Sequence, residues 1–191
     1  VANTFERQQR GNTEKKNNKK ELSETFYADC ESYVKDIEKE HTLQLIGVVG
    51  SKNDMVDIMN VCDPAYKHNT VCKEQMVINK WLNIMTMNGK QNALCYFHNL
   101  KYDYHLFEKY INIKKRCQKD NVLYSVVLLF KGCEIELRDS YKIIPFPLRM
   151  FQKEFGLPQE FAKKEAIAYT YYTEENNDKR CDIMEYCELL P

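Results

Sequence analysis

The chain has 191 residues, 28 basic and 28 acidic side chains, 43% hydrophobic residues, 13 tyrosines and eight cysteines. That length suits one domain with a real core, or one domain plus a tail, and the zero formal charge excludes the blanket basicity of a histone-like binder while leaving room for a local basic groove. No apolar run approaches the ~20 residues of a membrane helix, and none of the cysteines forms a CxxC pair, so reduced thiols of an intracellular protein are expected rather than a disulfide framework or a zinc site.

Residues 1–20, "VANTFERQQRGNTEKKNNKK", are polar and without periodicity, with six basic and two acidic side chains. They read as a disordered lead-in to a domain over residues 21–191. "SETFYADCESYV" (23–34) is an aromatic-rich strand candidate. "TLQLIGVVG" (42–50) and "DMVDIMNV" (54–61) follow as two more, parted by a short polar turn, which suggests an antiparallel meander. In "VCKEQMVINKWLNIMTMNG" (71–89), Val77, Ile78, Trp81, Leu82 and Met85 make one apolar helix face, with Gly89 placed as its C-terminal cap. "ALCYF" (93–97) reads as a short buried strand, and "YDYHLFEKYI" (102–111) as a helix. "VLYSVVLLF" (122–130) and "CEIELRDSY" (133–141) flank Lys131-Gly132, the turn of a hairpin. "IPFPLRMFQKEFG" (144–156) gives a helix after Pro147, with Leu148, Phe151 and Phe155 inward and Gly156 closing it. Residues 162–182 read as loop and "DIMEYCELL" as a weak helix. Cys30, Cys95 and Cys133 fall inside strand-like runs, where free cysteine acts as a small hydrophobe. The order describes an α/β fold of ribonuclease H-like kind: a mixed sheet with flanking helices and an inserted β-hairpin.

The chemistry-bearing residues gather in two places. Asp29 and Glu31 stand two apart on a strand, so they share a face. Two carboxylates so placed repel each other, and a divalent metal compensates best. A solvent-facing edge strand with two charges would read the same way. Asp103 lies just beyond the C-terminal edge of a buried strand, where sites in α/β sheets collect, although an aspartate early in a helix also complements the helix dipole. Together the three acids suit a pair of Mg²⁺ or Mn²⁺ ions clamping a phosphodiester.

"YFHNLKYDYHLF" (96–107) resembles the second exonuclease motif of family B DNA polymerases, in the protein-primed branch of phages, linear plasmids and virus-like transposons. "YADCE" resembles the first motif, DxE. "RDSYKIIPFPLRMFQKEFGL" (138–157) resembles the segment that follows the second motif in that branch, and "KKEAIAYTYYT" its downstream lysine and tyrosine. The blocks are in family order over roughly residues 22–175. The resemblance implies a DNA-directed DNA polymerase, of which this chain carries the 3′–5′ proofreading exonuclease portion. Asp29, Glu31 and Asp103 then match the metal-binding acids, and Lys164 a catalytic-site lysine. Ser32, Tyr96, His98, Asn99, Tyr102, Ser140, Tyr141 and Tyr169 match residues that hold DNA. The implied partners are a single-stranded 3′ end, primer-template DNA and a terminal priming protein; a membrane partner is not expected.

One element of the pattern departs. The third motif, Tyr-x-x-x-Asp, should come after the last block, but Tyr186 is followed four residues on by Leu190, and Asp182 and Glu185 lack the spacing. The chain therefore reads as cut before that motif, or its site as decayed, and little nuclease activity is expected from this piece alone. A free-standing 3′–5′ exonuclease of the same fold is the first rival reading. A non-catalytic single-stranded DNA-binding remnant of a mobile element is the second, and it predicts no metal dependence.

Overall fold

The computed structural model describes residues 22–34, 40–52, 56–162, 171, 173, 175–176 and 183–190; the expected lead-in 1–20 lies outside them. Among the described residues seven strands and four α-helices follow in the order β1 (Leu22–Val34), β2 (His41–Gly50), β3 (Asp57–Asn60), α1 (Lys73–Met85), β4 (Asn92–Phe97), α2 (Leu100–Phe107), β5 (Ile113–Lys119), β6 (Val122–Phe130), β7 (Cys133–Asp139), α3 (Leu148–Phe155) and α4 (Ile183–Glu188). The strands form one sheet in the order β3-β2-β1-β4-β7-β6-β5. β1, β2 and β3 pair antiparallel, as the meander required, while β4 runs parallel to both β1 and β7. This is the expected mixed α/β sheet.

Both α1 and α2 pack on one face of the sheet. The apolar face of α1 is buried as its spacing demands, and Trp81 meets Phe97 of β4 and Phe107 of α2 at 5.8 and 5.3 Å between rings. Cys30, Cys95 and Cys133 are all buried there. The opposite face is uneven. Tyr27, Tyr96, Val127, Glu136 and Arg138 occupy the alternate positions and are exposed or half-buried. Among the described residues no helix is long and apolar enough to cross a membrane.

Four expectations need correcting. Gly89 does not cap α1, which ends at Thr86. It closes a left-handed turn in which Met87, Asn88 and Gly89 all have positive φ. A Cβ there would meet Lys131 Cβ at 2.9 Å, so glycine is required by space as well as by conformation. The helix expected over 102–111 starts at Leu100 and stops at Phe107, with a 3₁₀ turn over Glu108–Tyr110. Leu148 and Phe155 of α3 do not face inward: they are 55% and 50% exposed, and Phe151 is half-buried between the His98 and Phe155 rings. The hairpin has a third strand, β5, paired antiparallel to β6 at the sheet edge. Its sequence, "IKKRCQK", is exposed throughout, so it carries no apolar alternation to betray it. The turn between β6 and β7 is the Lys131-Gly132 turn, both residues at positive φ as a tight hairpin requires.

Candidate active site

The site forms where β1 outruns β4. The parallel pairing of these strands ends at Tyr27–Tyr96, so the next turn of β1 has an open flank. The first turn of α2 fills it. Cys30 N–H donates to Asp103 Oδ1 at 3.1 Å. The backbone between Asp29 and Glu31 thus grips the carboxyl of Asp103, and Asp29 lies near enough for its charge to act on that carboxyl. Asp103 is 3% exposed. Desolvation, and secondarily the charge of Asp29, push its carboxyl up from 3.8 to about 7, although the Cys30 amide pulls the other way. Burial and the same aspartates also raise the Cys30 thiol well above its ordinary value.

The donor set is the kind a hard divalent ion takes: carboxylate oxygens, without soft ligands. No cationic side chain among the described residues pairs with Asp103, so its repulsion with Asp29 has no protein counter-charge on the Asp103 side. As placed, however, no three Asp, Glu, His or Cys side chains of the described residues are close enough together to hold an ion. Asp29 is exposed and Glu31 half-buried, one on either side of the Cys30 amide that holds Asp103.

Around the acids stand the side chains matched to DNA binding. Ser32 Oγ lies 2.9 Å from Tyr102 Oη, and both lie within hydrogen-bond distance of His41 Nδ1, at 3.2 and 3.1 Å. A register shift between β1 and β2 at Glu31/Ser32 sets this cluster beside the acids. Tyr102 is 45% exposed, with its ring edge-on to His41. Asn99 precedes α2 in the left-handed conformation (φ 73°), which asparagine tolerates. Its N–H donates to Asp139 Oδ1 at 3.0 Å, and the same oxygen accepts from Tyr141 N–H at 2.9 Å. Asp139 is therefore the post that joins the second motif to the Ser140–Tyr141 segment. Tyr96 stacks on Tyr27, with centroids 6.1 Å apart and planes at 22°.

His98 is differently employed. Its Nε2 donates to the Phe146 carbonyl at 2.9 Å, its Nδ1 sits 3.1 Å from Ser140 Oγ, and its ring is edge-on to Tyr141 and Phe151. Both ring nitrogens are spent on holding the segment after β7. Ser140 Oγ also donates to the Phe97 carbonyl at 3.0 Å. Lys164 and Tyr169 lie outside the described residues. His41 and Asp139 escaped the sequence reading. An Asx turn at "DSY" was the available signal for Asp139; nothing local singles out His41, whose partners are 9 and 61 residues away.

No protein-family model matches the chain, and no curated protein matches it. Among solved structures it is similar to Phi29 DNA polymerase complexed with primer-template DNA and incoming nucleotide substrates (TM-score 0.56, 16% identity) and to Phi29 DNA polymerase complexed with primer-template DNA in its post-translocation binary complex (0.55, 16%). Each match covers 87% of this chain and 28% of the polymerase. At this identity the likeness is one of fold, and the chain spans little more than a quarter of the polymerase's length.

Proposed function

We propose that the chain is the 3′–5′ proofreading exonuclease portion of a protein-primed family B DNA polymerase, acting on the single-stranded 3′ end of DNA. The observation that carries this reading is the hydrogen bond from Cys30 N–H to Asp103, which ties the carboxyl of the second motif to the strand segment that bears the two acids of the first. The shared fold with a polymerase of that branch supports it.

Asp29, Glu31 and Asp103 would hold Mg²⁺ or Mn²⁺. Bound there, the ions would lower the pKa of an attacking water and offset charge on the phosphodiester. The chain's own residues supply the rest. Tyr102 and Tyr96 offer aromatic faces to unpaired bases, which selects a frayed end without reading sequence. Asn99, its amide fixed by Asp139, presents a side chain that both donates and accepts hydrogen bonds. Ser32 and Tyr102 orient each other through their hydroxyls. Lys164 would offset charge developing at the scissile phosphate. Mn²⁺ titration, followed by the electron paramagnetic resonance of free Mn²⁺, tests the site. The chain should take up Mn²⁺, and Asp29→Ala/Asp103→Ala should not; equal uptake by both would overturn the catalytic reading and favour a non-catalytic DNA-binding remnant. A longer chain that includes a Tyr-x-x-x-Asp segment should release mononucleotides from a single-stranded 3′ end in Mn²⁺, and this chain alone far fewer.

A further inference from the structure

The edge strand β5 concentrates the charge of a formally neutral protein. Lys114, Lys115, Arg116 and Lys119 fall within seven exposed residues, with no acid among them. Two of the four are neutralised. Lys114 pairs with Glu134, and Arg116 reaches Glu108 and the Tyr104 hydroxyl. Lys115 and Lys119 have no ion-pair partner among the described residues.

Register places both on the face that α1 and α2 leave uncovered. Lys115 lies opposite Val127, which lies opposite Glu136. Cys117 continues through Ser125, Arg138 and Tyr96 to Tyr27, a single cross-strand row. Directly opposed residues share a face, so Lys115 and Lys119 share theirs with Tyr27, Tyr96 and Asp29. β5 also runs parallel to β1, because two antiparallel steps separate it from β7. Its C-terminal residue Lys119 therefore sits at the same end of the sheet as Asp29. Four inter-strand steps part them, about 19 Å at ~4.8 Å each. Where Cys117 and Gln118 change register, Tyr124 is the extra residue of β6, and it is turned 42% into solvent beside the lysines.

We propose that β5 is a phosphate track: Lys115 and Lys119, with Tyr124 as a stacking platform, bind the backbone of the strand whose 3′ end lies in the acid site, several nucleotides upstream. This rests on the exonuclease reading and adds a substrate-length requirement to it. A row of lysines can also serve only to keep a sheet edge from pairing with another, and the experiment separates the two roles.

Fluorescence anisotropy of the full chain with 5′-labelled oligo-dT of three and twelve nucleotides provides the test. The twelve-mer should bind more tightly than the three-mer. Lys115→Gln/Lys119→Gln should weaken the twelve-mer on the order of tenfold at 0.1 M salt and lower the slope of log K against log salt by about 1.4, from two lost single-strand phosphate contacts. Affinity for the three-mer should not move. Tyr124→Ala should weaken the twelve-mer with little change of slope. Unchanged twelve-mer affinity in the double-lysine variant overturns the track but leaves the exonuclease reading standing, and aggregation of that variant would then assign the lysines to edge protection. If neither oligonucleotide binds the unaltered chain, the exonuclease reading falls and the track with it.

Discussion

Asp103 is a carboxyl kept in a place that suits its neutral form. Between pH 3.8 and about 7 the folded chain binds more protons there than the unfolded one. Metal-free stability should therefore be fullest below the lower value and fall as pH rises through the upper, by up to about 1.4 kcal/mol per pH unit. Asp103→Asn keeps the acceptor for Cys30 N–H and removes the charge. In EDTA at pH 8 it should be more stable than the parent by roughly 2–4 kcal/mol in urea denaturation, with the gap closing by pH 4. A variant less stable at pH 8 would mean the site carries its own counter-charge. Asp139 acts in the opposite sense. It is 2% exposed and accepts two backbone amides with one oxygen, while Lys142 Nζ lies 3.7 Å from the other. Asp139→Ala should cost about 1–3 kcal/mol, because two part-buried donors lose their acceptor, and Asp139→Asn should recover most of it. Tyr102→Ala should weaken a frayed 3′ end by about 1–3 kcal/mol, the worth of one stacked base, and duplex DNA less; equal losses on both would make Tyr102 structural. At this scale the elements that carry the acids were legible, Asp29 and Glu31 on a strand and Asp103 early in a helix, because strand and helix periods announce them. Asp139 and His41 were not, since their meaning lies in partners brought near only by the sheet.

Elements divide by what announces them. α1, β4 and the β6–β7 hairpin bury apolar faces and could be read from period alone. β5 buries nothing, and its place comes from ladder hydrogen bonds to β6 and from the side-chain contacts of Lys114 and Arg116. α3 has apolar residues at helical spacing but leaves Leu148 and Phe155 exposed, so periodicity located the helix and misjudged its packing. The two turns that meet at Gly89 and Lys131 tie α1–β4 to β6–β7. Gly89→Ala imposes a side chain on a left-handed residue and crowds Lys131, and should cost 1 kcal/mol or more by urea denaturation. No loss there would mean the turn relaxes freely and the two connections are not coupled.

For the molecule as a whole, neutrality conceals segregation, with acids at one strand end and unpaired lysines on an edge of the same sheet. If ions bind the acids, they bind the folded chain and not the unfolded one. At a hundred times its dissociation constant, Mn²⁺ should add about 2.7 kcal/mol of stability, seen as a rise in melting temperature at pH 8 that Asp29→Ala/Asp103→Ala abolishes. The mixed sheet itself was evident from the order of apolar runs; which strand flank stays open was not, because it depends on β4 ending at Phe97 while β1 runs on to Val34. That inequality of length has an evolutionary corollary. The Asp103 carboxyl is held by the peptide nitrogen of position 30 as well as by its thiol, and the first of these any residue but proline supplies whatever its side chain. Small apolar replacements could drift through that position while the acids stay put, and proline, which has no amide proton to give, is the substitution that lineages keeping this chemistry should never accept.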